Sequence, residues 1–372
     1  MHSEFPLSAD LIYLNHAAVA PWPLRTTEAV KRFAEENARY GAFRYLEWAK
    51  QEDLLREQLR ELLNAPSTDD IALVKNTSEA ISLVAFGLDW QPGDNIVSSN
   101  EEFPSNRIPW QALGDLGVEF READLNTATT PEEALFKLVD RHTKLITVSS
   151  VQFASGLRLD LDKIGRFCRD HGILFCVDAI QSLGALRLDV QKCQPDFLMA
   201  DGHKWMLGPE GLGVFYTSPR ARNLLNLMQY GWHMIEKVGD YDTKSWLPAR
   251  TARRFECGSP NMLGIHALSA SLSLILEIGV EAIESLLLER TAYLVEAIGN
   301  QPDLELLSSG IAERHSGIVL FRLRSVSNER LYQHLKQSGV VCALRGGGIR
   351  FSPHFYTSQT LLERAIHIAL RA

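Results

Sequence analysis

Cysteine is scarce in this 372-residue chain: Cys168, Cys176, Cys193, Cys257 and Cys342 make an odd set with no C-x-x-C pair. Neither a disulfide framework nor a zinc site is suggested, and a reducing cytoplasm is the expected setting. Long apolar runs are also missing. The most apolar stretch, Leu268 to Ile283, is broken by Ser269, Ser271, Ser273 and Glu277, so it reads as a packed helix and no membrane partner is expected. The start, Met1-His2-Ser3-Glu4-Phe5-Pro6, lacks the positive and then apolar order of a secretory signal. Basic residues form no stripe, and 38 Lys and Arg against 46 Asp and Glu leave a net charge of -8, which argues against nucleic acid. There is no internal repeat and no low-complexity segment. A small molecule is the expected partner.

What is present is an ordinary globular composition, 45% hydrophobic and 23% charged, in a chain longer than one core usually serves. Two domains are expected. Residues 1–24 read as an irregular segment with a short strand at Leu11-Ile12-Tyr13-Leu14. From Thr26 to Leu63 apolar residues recur at helical spacing, with a possible break at Tyr40-Gly41. Short apolar runs then alternate with helical stretches: Ile71–Val74, Asn95–Ser98, Lys144–Val148, Ile173–Asp178, Phe197–Ala200 and Gly213–Tyr216. That rhythm predicts an α/β domain with a mostly parallel sheet over roughly residues 65–250. A long helix to about Ile283 and another from Glu284 to Gly299 come next. Strands at Gly317–Leu323, Val340–Leu344 and Ile349–Ser352 and a final helix from Ser358 read as a smaller α+β domain. The expected division is 1–24 serving the small domain or the site, 25–255 as the large domain and 256–372 as the small one.

Ligands of open α/β sheets collect outside the carboxyl ends of the strands, where this chain carries Asn76, Gln152, Asp178 and the turn before Lys204. Lys204 sits in the glycine-flanked Asp201-Gly202-His203-Lys204-Trp205, between two apolar runs, where partial desolvation favours a neutral, nucleophilic amine. Taken alone, such a turn also fits a solvated charge. Asp178 ends an apolar strand, where a carboxylate is costly without a positive partner; a capping role fits it as well. Asn76-Thr77-Ser78-Glu79 opens a helix and could cradle a phosphate or simply cap it. His203 could donate to the same anion or face solvent. Asn15 and His16 could line a site or close a turn.

Thr77-Ser78-Glu79-Ala80-Ile81, Val177-Asp178-Ala179-Ile180-Gln181-Ser182, Asp201-Gly202-His203-Lys204-Trp205 with Gly208-Pro209-Glu210-Gly211, and Arg254-Phe255-Glu256-Cys257-Gly258-Ser259-Pro260-Asn261 occur in an order that resembles the class V aminotransferase family, including its NifS-like and isopenicillin N epimerase-like branches. The resemblance covers nearly the whole chain. It implies the pyridoxal 5'-phosphate (PLP) transferase architecture of fold type I and a homodimer with its site at the subunit interface. By the same resemblance Lys204 is the Schiff-base lysine and Asp178 the partner of the pyridinium nitrogen. Gln181, with Gln152, would address the phenolic oxygen, and Thr77, Ser78 and His203 the phosphate, with Ser259 reaching it from the second subunit. Phe103 matches the residue over the cofactor ring, a histidine in the desulfurases; phenylalanine can stack there but moves no proton. Arg350 matches the arginine that grips the substrate α-carboxylate, a task suited to a planar guanidinium. Asn15 and His16 are substrate-contact candidates, Arg345 and its three following glycines are expected to shape the same wall, and no metal is expected.

The cofactor does not choose the bond that breaks. A persulfide-forming desulfurase needs a mobile cysteine, yet no cysteine lies between Arg345 and Arg350, and Cys342 falls on an expected apolar strand. Trp205-Met206-Leu207-Gly208-Pro209-Glu210-Gly211 and Ser352-Pro353-His354-Phe355-Tyr356 resemble the epimerase-like and generic aminotransferase branch, and this resemblance makes aminotransferase-like chemistry at Cα of an amino acid or amine the leading expectation. The alternatives are a C–S or other β-lyase, an epimerase, and a non-catalytic protein that kept the fold.

Overall fold

The computed structural model describes residues 3–372. After a short strand β1 (Ile12–Tyr13), the large sheet is built from β2 (Ile71–Val74), β3 (Asn95–Ser99), β4 (Glu119–Ala123), β5 (Thr143–Ser149), β6 (Leu174–Asp178), β7 (Phe197–Asp201) and β8 (Gly213–Thr217). Their order is β2-β8-β7-β6-β5-β3-β4, parallel throughout except that β8 runs against both neighbours. The continuous apolar runs follow from burial on both faces. Ile146, Val148, Phe175, Val177 and Leu198 point into one core, and Leu145, Cys176, Phe197 and Met199, their alternating neighbours, into the other. β4 escapes the sequence reading because it is an edge strand whose Glu119-Phe120-Arg121-Glu122 is largely solvent-facing.

Helices Leu24–Tyr40 and Tyr45–Leu63 flank a short 3-10 turn at Gly41, where φ of 53° suits glycine. The two helices expected to meet near Ile283 and Glu284 meet instead at Gly279: they are Met262–Ile278 and Val280–Gly299, bent by 82°. Met262–Ile278 belongs to the large-domain core through Ile265, Leu268 and Leu272, because its serines bond the N-terminal helices, Ser271 to Thr26 at 2.7 Å and Ser269 to Gln58 at 2.7 Å. Among the described residues no single helix is long and apolar enough to cross a membrane.

The smaller domain carries β9 (Leu304–Leu306), β10 (Val319–Leu323), β11 (Val340–Val341), β12 (Ala343–Arg345) and β13 (Gly348–Phe351), with an antiparallel sheet in the order β12-β13-β10-β9. The run expected as one strand at Val340–Leu344 is divided at Cys342. β11 leaves the sheet to pair with β1 in parallel, Ile12 with Val340, and Asn15 bridges Ser352. The N-terminal segment is thereby tied to the small-domain core of Leu14, Leu294, Phe321, Leu335 and Phe351.

The lysine turn packs tightly on the segment after β6 under the site. Gly184 has φ of 96°, and a Cβ there would stand 2.6 Å from the Trp205 carbonyl oxygen. Gly184→Ala is expected to destabilise the protein by about 2–4 kcal/mol, read as a lower urea midpoint; an unchanged midpoint would contradict this packing.

Candidate functional site

β7 and β8 are joined by the turn that holds Lys204. Trp205, fully buried, donates from Nε1 to Gln181 Oε1 at 2.9 Å and pins the turn from below. Leu207 closes it in the left-handed region at φ of 61°, unusual for a side chain with a Cβ, and its carbonyl accepts from Ser271 Oγ at 2.8 Å. Lys204 has little freedom as a result. It is buried, and burial lowers its proton affinity from the ordinary 10.5; Asp178 opposes that effect, while Arg350 and Arg345 add to it.

Asp178 ends β6 on the same sheet edge. Its Oδ1 accepts from the Ile180 N–H at 3.0 Å. Burial raises its proton affinity, the Ile180 N–H works the other way, nearby Glu102 adds to the rise, and Lys204 counters it. Both groups open on one cavity of about 240 Å³. A larger cleft of about 530 Å³ lies beyond Ser182, but its one lysine, Lys192, is paired with Asp162, and Arg158 with Glu284. The chemistry belongs to the smaller cavity.

At one end of that cavity the helix Thr77–Gly87 begins. Asn76 caps it by accepting from Glu79 N at 2.9 Å, and Glu79 reaches back to Lys75 N at 2.7 Å, so the first turn is firmly set. Thr77 Oγ1 accepts from Asp201 N at 3.1 Å, and Ser78 Oγ donates to Ser105 Oγ at 2.9 Å. His203 lines the same end, its Nδ1 3.1 Å from Asp201 Oδ1 but without the alignment of a hydrogen bond. Ser105 is a site residue the sequence reading passed over. Its hydroxyl meets Ser78 only through tertiary folding.

Phe103 forms a wall, its ring centre 5.6 Å from Lys204 Nζ and 5.2 Å from that of Phe153. The residue before it, Glu102, is buried and accepts from Ser99 Oγ, Asn106 Nδ2, Ser149 N, Ser149 Oγ and Gln152 Nε2 at 2.5–3.1 Å. This knot fixes Phe103, and nothing in the sequence marks it. It also engages Gln152, which is fully buried outside the cavity lining. Gln181 does line the cavity; one N–H goes to the Ala17 carbonyl at 3.1 Å, and an amide has a second to offer.

Arg350, on β13, is 1% exposed. Nη1 donates to the Phe153 carbonyl at 2.6 Å, while Nε and Nη2 are buried without a partner. Burial and Arg345 bring the guanidinium down to about 10. Two unpaired donors in a fixed fork facing a cavity suit a carboxylate. Three candidates stand elsewhere. His16 is fully buried behind the wall, with Nδ1 to the Ser352 carbonyl at 2.8 Å and Nε2 to Tyr356 Oη at 2.5 Å, and burial lowers it to about 4. Asn15 is likewise outside the lining, and Ala17-Ala18-Val19 take that place. Ser259 is exposed and outside the lining.

The residues present fit PLP. Asp178 offers a buried carboxylate to a pyridinium, Lys204 an amine to the aldehyde, the Thr77–Ser78 helix start and His203 donors to the phosphate, and Arg350 two unused N–H groups to an amino-acid carboxylate. Fold and cavity together define a PLP-dependent enzyme of fold type I. More specifically, the aminotransferase class-V family model matches residues 12–360, and the chain belongs to that family. It is 31% identical to a probable cysteine desulfurase of Methanothermobacter thermautotrophicus, over 97% of this chain and 94% of that protein. It is 33% identical to a cysteine desulfurase of Pectobacterium carotovorum subsp. carotovorum, over 87% and 82% respectively. Among solved structures, a cystine C–S lyase in complex with its product cysteine persulfide superposes with a TM-score of 0.89 at 24% identity, covering 97% of this chain and 98% of that one. An apo cysteine desulfurase from Thermococcus onnurineus superposes at 0.87 and 24%, covering 99% and 95%.

Lys204→Ala should abolish the borohydride-stable PLP adduct. The apo protein should capture PLP at a rate that rises with pH and levels off well below 10.5, the ordinary lysine value, because burial favours the neutral amine. A plateau reached only above that value would contradict the desolvated environment.

Proposed function

We propose that this enzyme is a PLP-dependent C–S lyase that cleaves a sulfur-bearing amino acid without storing the sulfur on a protein cysteine. This departs from the aminotransferase-like expectation, which the relatives do not support: they are named cysteine desulfurases. The observation that carries the reading is the hairpin before Arg350. Arg345 pairs with Gly348, so β12 and β13 are joined by Gly346 and Gly347 alone, both with positive φ, 57° and 77°. Such a two-residue turn favours glycine at both positions. Asn328 Nδ2 donates to the Gly347 carbonyl at 2.7 Å, and Gly346 packs against Ala154. The segment that would carry a mobile cysteine is thus a short, docked turn. Cys342 lies in the small-domain core, with burial pushing its thiol up to about 12.

Bound PLP supplies the electron sink for the pair left when the Cα proton departs. Arg350 holds the substrate carboxylate and so orients Cα. Lys204 Nζ, kept neutral by burial, is the base for that proton. Asp178 keeps a proton on the ring nitrogen. Phe103 excludes water from one wall without offering a proton. Overall, an S-substituted cysteine and water give a thiol or persulfide, pyruvate and ammonium. With cystine and cysteine as substrates, pyruvate and ammonium should form in equal amounts, no sulfur adduct should appear on the protein by mass spectrometry, and Cys342→Ala should retain turnover. Alanine as the product, with a sulfur-loaded cysteine, would instead indicate a desulfurase, and amino-group transfer to a keto acid an aminotransferase.

A homodimer belongs to the same proposal. Phe43 and Leu46 on one side, and Tyr241, Trp246 and Leu247 in the segment after β8, are 52–86% exposed. Apolar surface of that extent suits a subunit interface, and Ser259 could act only across it. Sedimentation should give twice the chain mass, and a monomer with full PLP occupancy would refute the role of Ser259.

A further inference from the structure

Asp201 ends β7 on the cavity lining, beside His203, and the chemistry described so far makes no use of its carboxylate. Its side chain is 7% exposed. The backbone N–H is spent on Thr77 Oγ1, but Oδ1 is buried without a partner. His203 Nδ1 is buried without a partner as well, and it stands 3.1 Å from that oxygen. Backbone bonds hold both residues in place. Gly202 between them donates to the Leu212 carbonyl at 2.9 Å and accepts from Gly208 N at 2.8 Å, and the His203 carbonyl accepts from Ala20 N at 2.8 Å. A Cβ on Gly202 would lie 3.0 Å from the Leu212 carbonyl oxygen and from Leu268, so the turn has no room to open. The two idle atoms are complementary: a carboxylate only accepts, and an imidazole Nδ1 that bears hydrogen donates. Leaving both unpaired is costly, and the soft χ2 torsion of histidine lets a modest turn of the ring bring them into line. The other charged groups on the lining are Asp178, Lys204, Glu210, Arg345 and Arg350. Asp201 acts through space on two of them, tightening the hold of both Lys204 and Asp178 on a proton. Near His203 the lining adds the hydroxyls of Thr77, Ser78 and Ser105.

We propose that Asp201 is a positioning residue for the cofactor phosphate: it accepts the Nδ1–H of His203, and the ring then presents its Nε2–H to a phosphate oxygen. An imidazole that donates from both nitrogens carries both protons, the second taken up from solvent as the phosphate binds. His203 then stands as a cation between two anions, the carboxylate and the phosphate. Without that cation the buried carboxylate would repel the phosphate brought to the same end of the cavity. Asp201 therefore acts through His203 and not by touching the cofactor. The role does not depend on which bond the enzyme breaks.

The experiment compares the binding of PLP with that of pyridoxal, which keeps the ring and the aldehyde and lacks the phosphate, to protein stripped of its cofactor. Asp201→Asn should weaken PLP binding by about tenfold, as for one charge-assisted contact. Pyridoxal should bind no worse, because removing this negative charge leaves Lys204 readier to give up its proton. In a His203→Gln background the same substitution should bring no further loss of PLP affinity, as expected of two residues that act as one unit. The loaded wild-type protein offers a second reading that needs no change at Asp201. With 15N in the histidine rings, both nitrogens of His203, assigned by their loss in His203→Gln, should appear protonated. Any one of four results would overturn the proposal: equal losses for PLP and pyridoxal in Asp201→Asn, an unchanged PLP affinity, a full further loss in the His203→Gln background, or a ring nitrogen of His203 without a proton in the loaded protein.

Discussion

The site depends on burying an amine and a carboxylate of opposite charge at one sheet edge. Lys204 and Asp178 are both taken from water, and desolvation moves each toward its neutral form while their mutual attraction holds each charged. This balance prepares the lysine to react with an aldehyde and leaves the aspartate in need of a cation. It requires that the ends of β6 and β7 be neighbours, which parallel pairing provides by setting Asp178 beside Met199. The crossovers that parallel strands demand then account for the helices on both faces, and those helices for the two cores.

A second constraint ties the substrate end to the cofactor end. Arg350 belongs to the small domain, yet its Nη1 is held by the Phe153 carbonyl of the large one. Gly346 rests on Ala154, and Ser308 Oγ donates to the Ser155 carbonyl at 2.6 Å, so the hairpin is fastened along the 153–155 segment. Behind the wall, His16, Trp205, His354 and Tyr356 form an aromatic cluster that joins the N-terminal segment, the lysine turn and the C-terminal domain. The histidines there are neutralised by burial and act as packing groups. A site assembled from three chain segments is thus rigid where charge must be placed accurately.

Much of this is legible in the residues because it is local. The β6 and β7 runs, the helix opening at Thr77 and the glycine-flanked lysine turn are each written in contiguous sequence, and strand order alone predicts that their ends share an edge. Arg350 is recognisable from its flanking motif. His16 looked no different from His203, although one is sealed in the aromatic cluster and the other lines the cavity. Gln152 gives one N–H to Glu102 while its Oε1 is buried without a partner, a division that local sequence does not reveal. β4 was hidden by its charges, and the affiliation of Met262–Ile278 by its place after an apparent boundary.

The sequence by itself determined the class of fold through its alternating apolar runs, and the cofactor through a family resemblance carried by short contiguous motifs, on which the proposed roles of Lys204 and Asp178 also rest. Tertiary structure alone decided which polar groups face the cavity and which are spent on one another, because burial and hydrogen-bond partners are set by residues far apart in the chain. It also turned three consecutive glycines into a docked hairpin. With that, Arg345 and Arg350 came to share one face, a relation that spacing does not specify until the register is known.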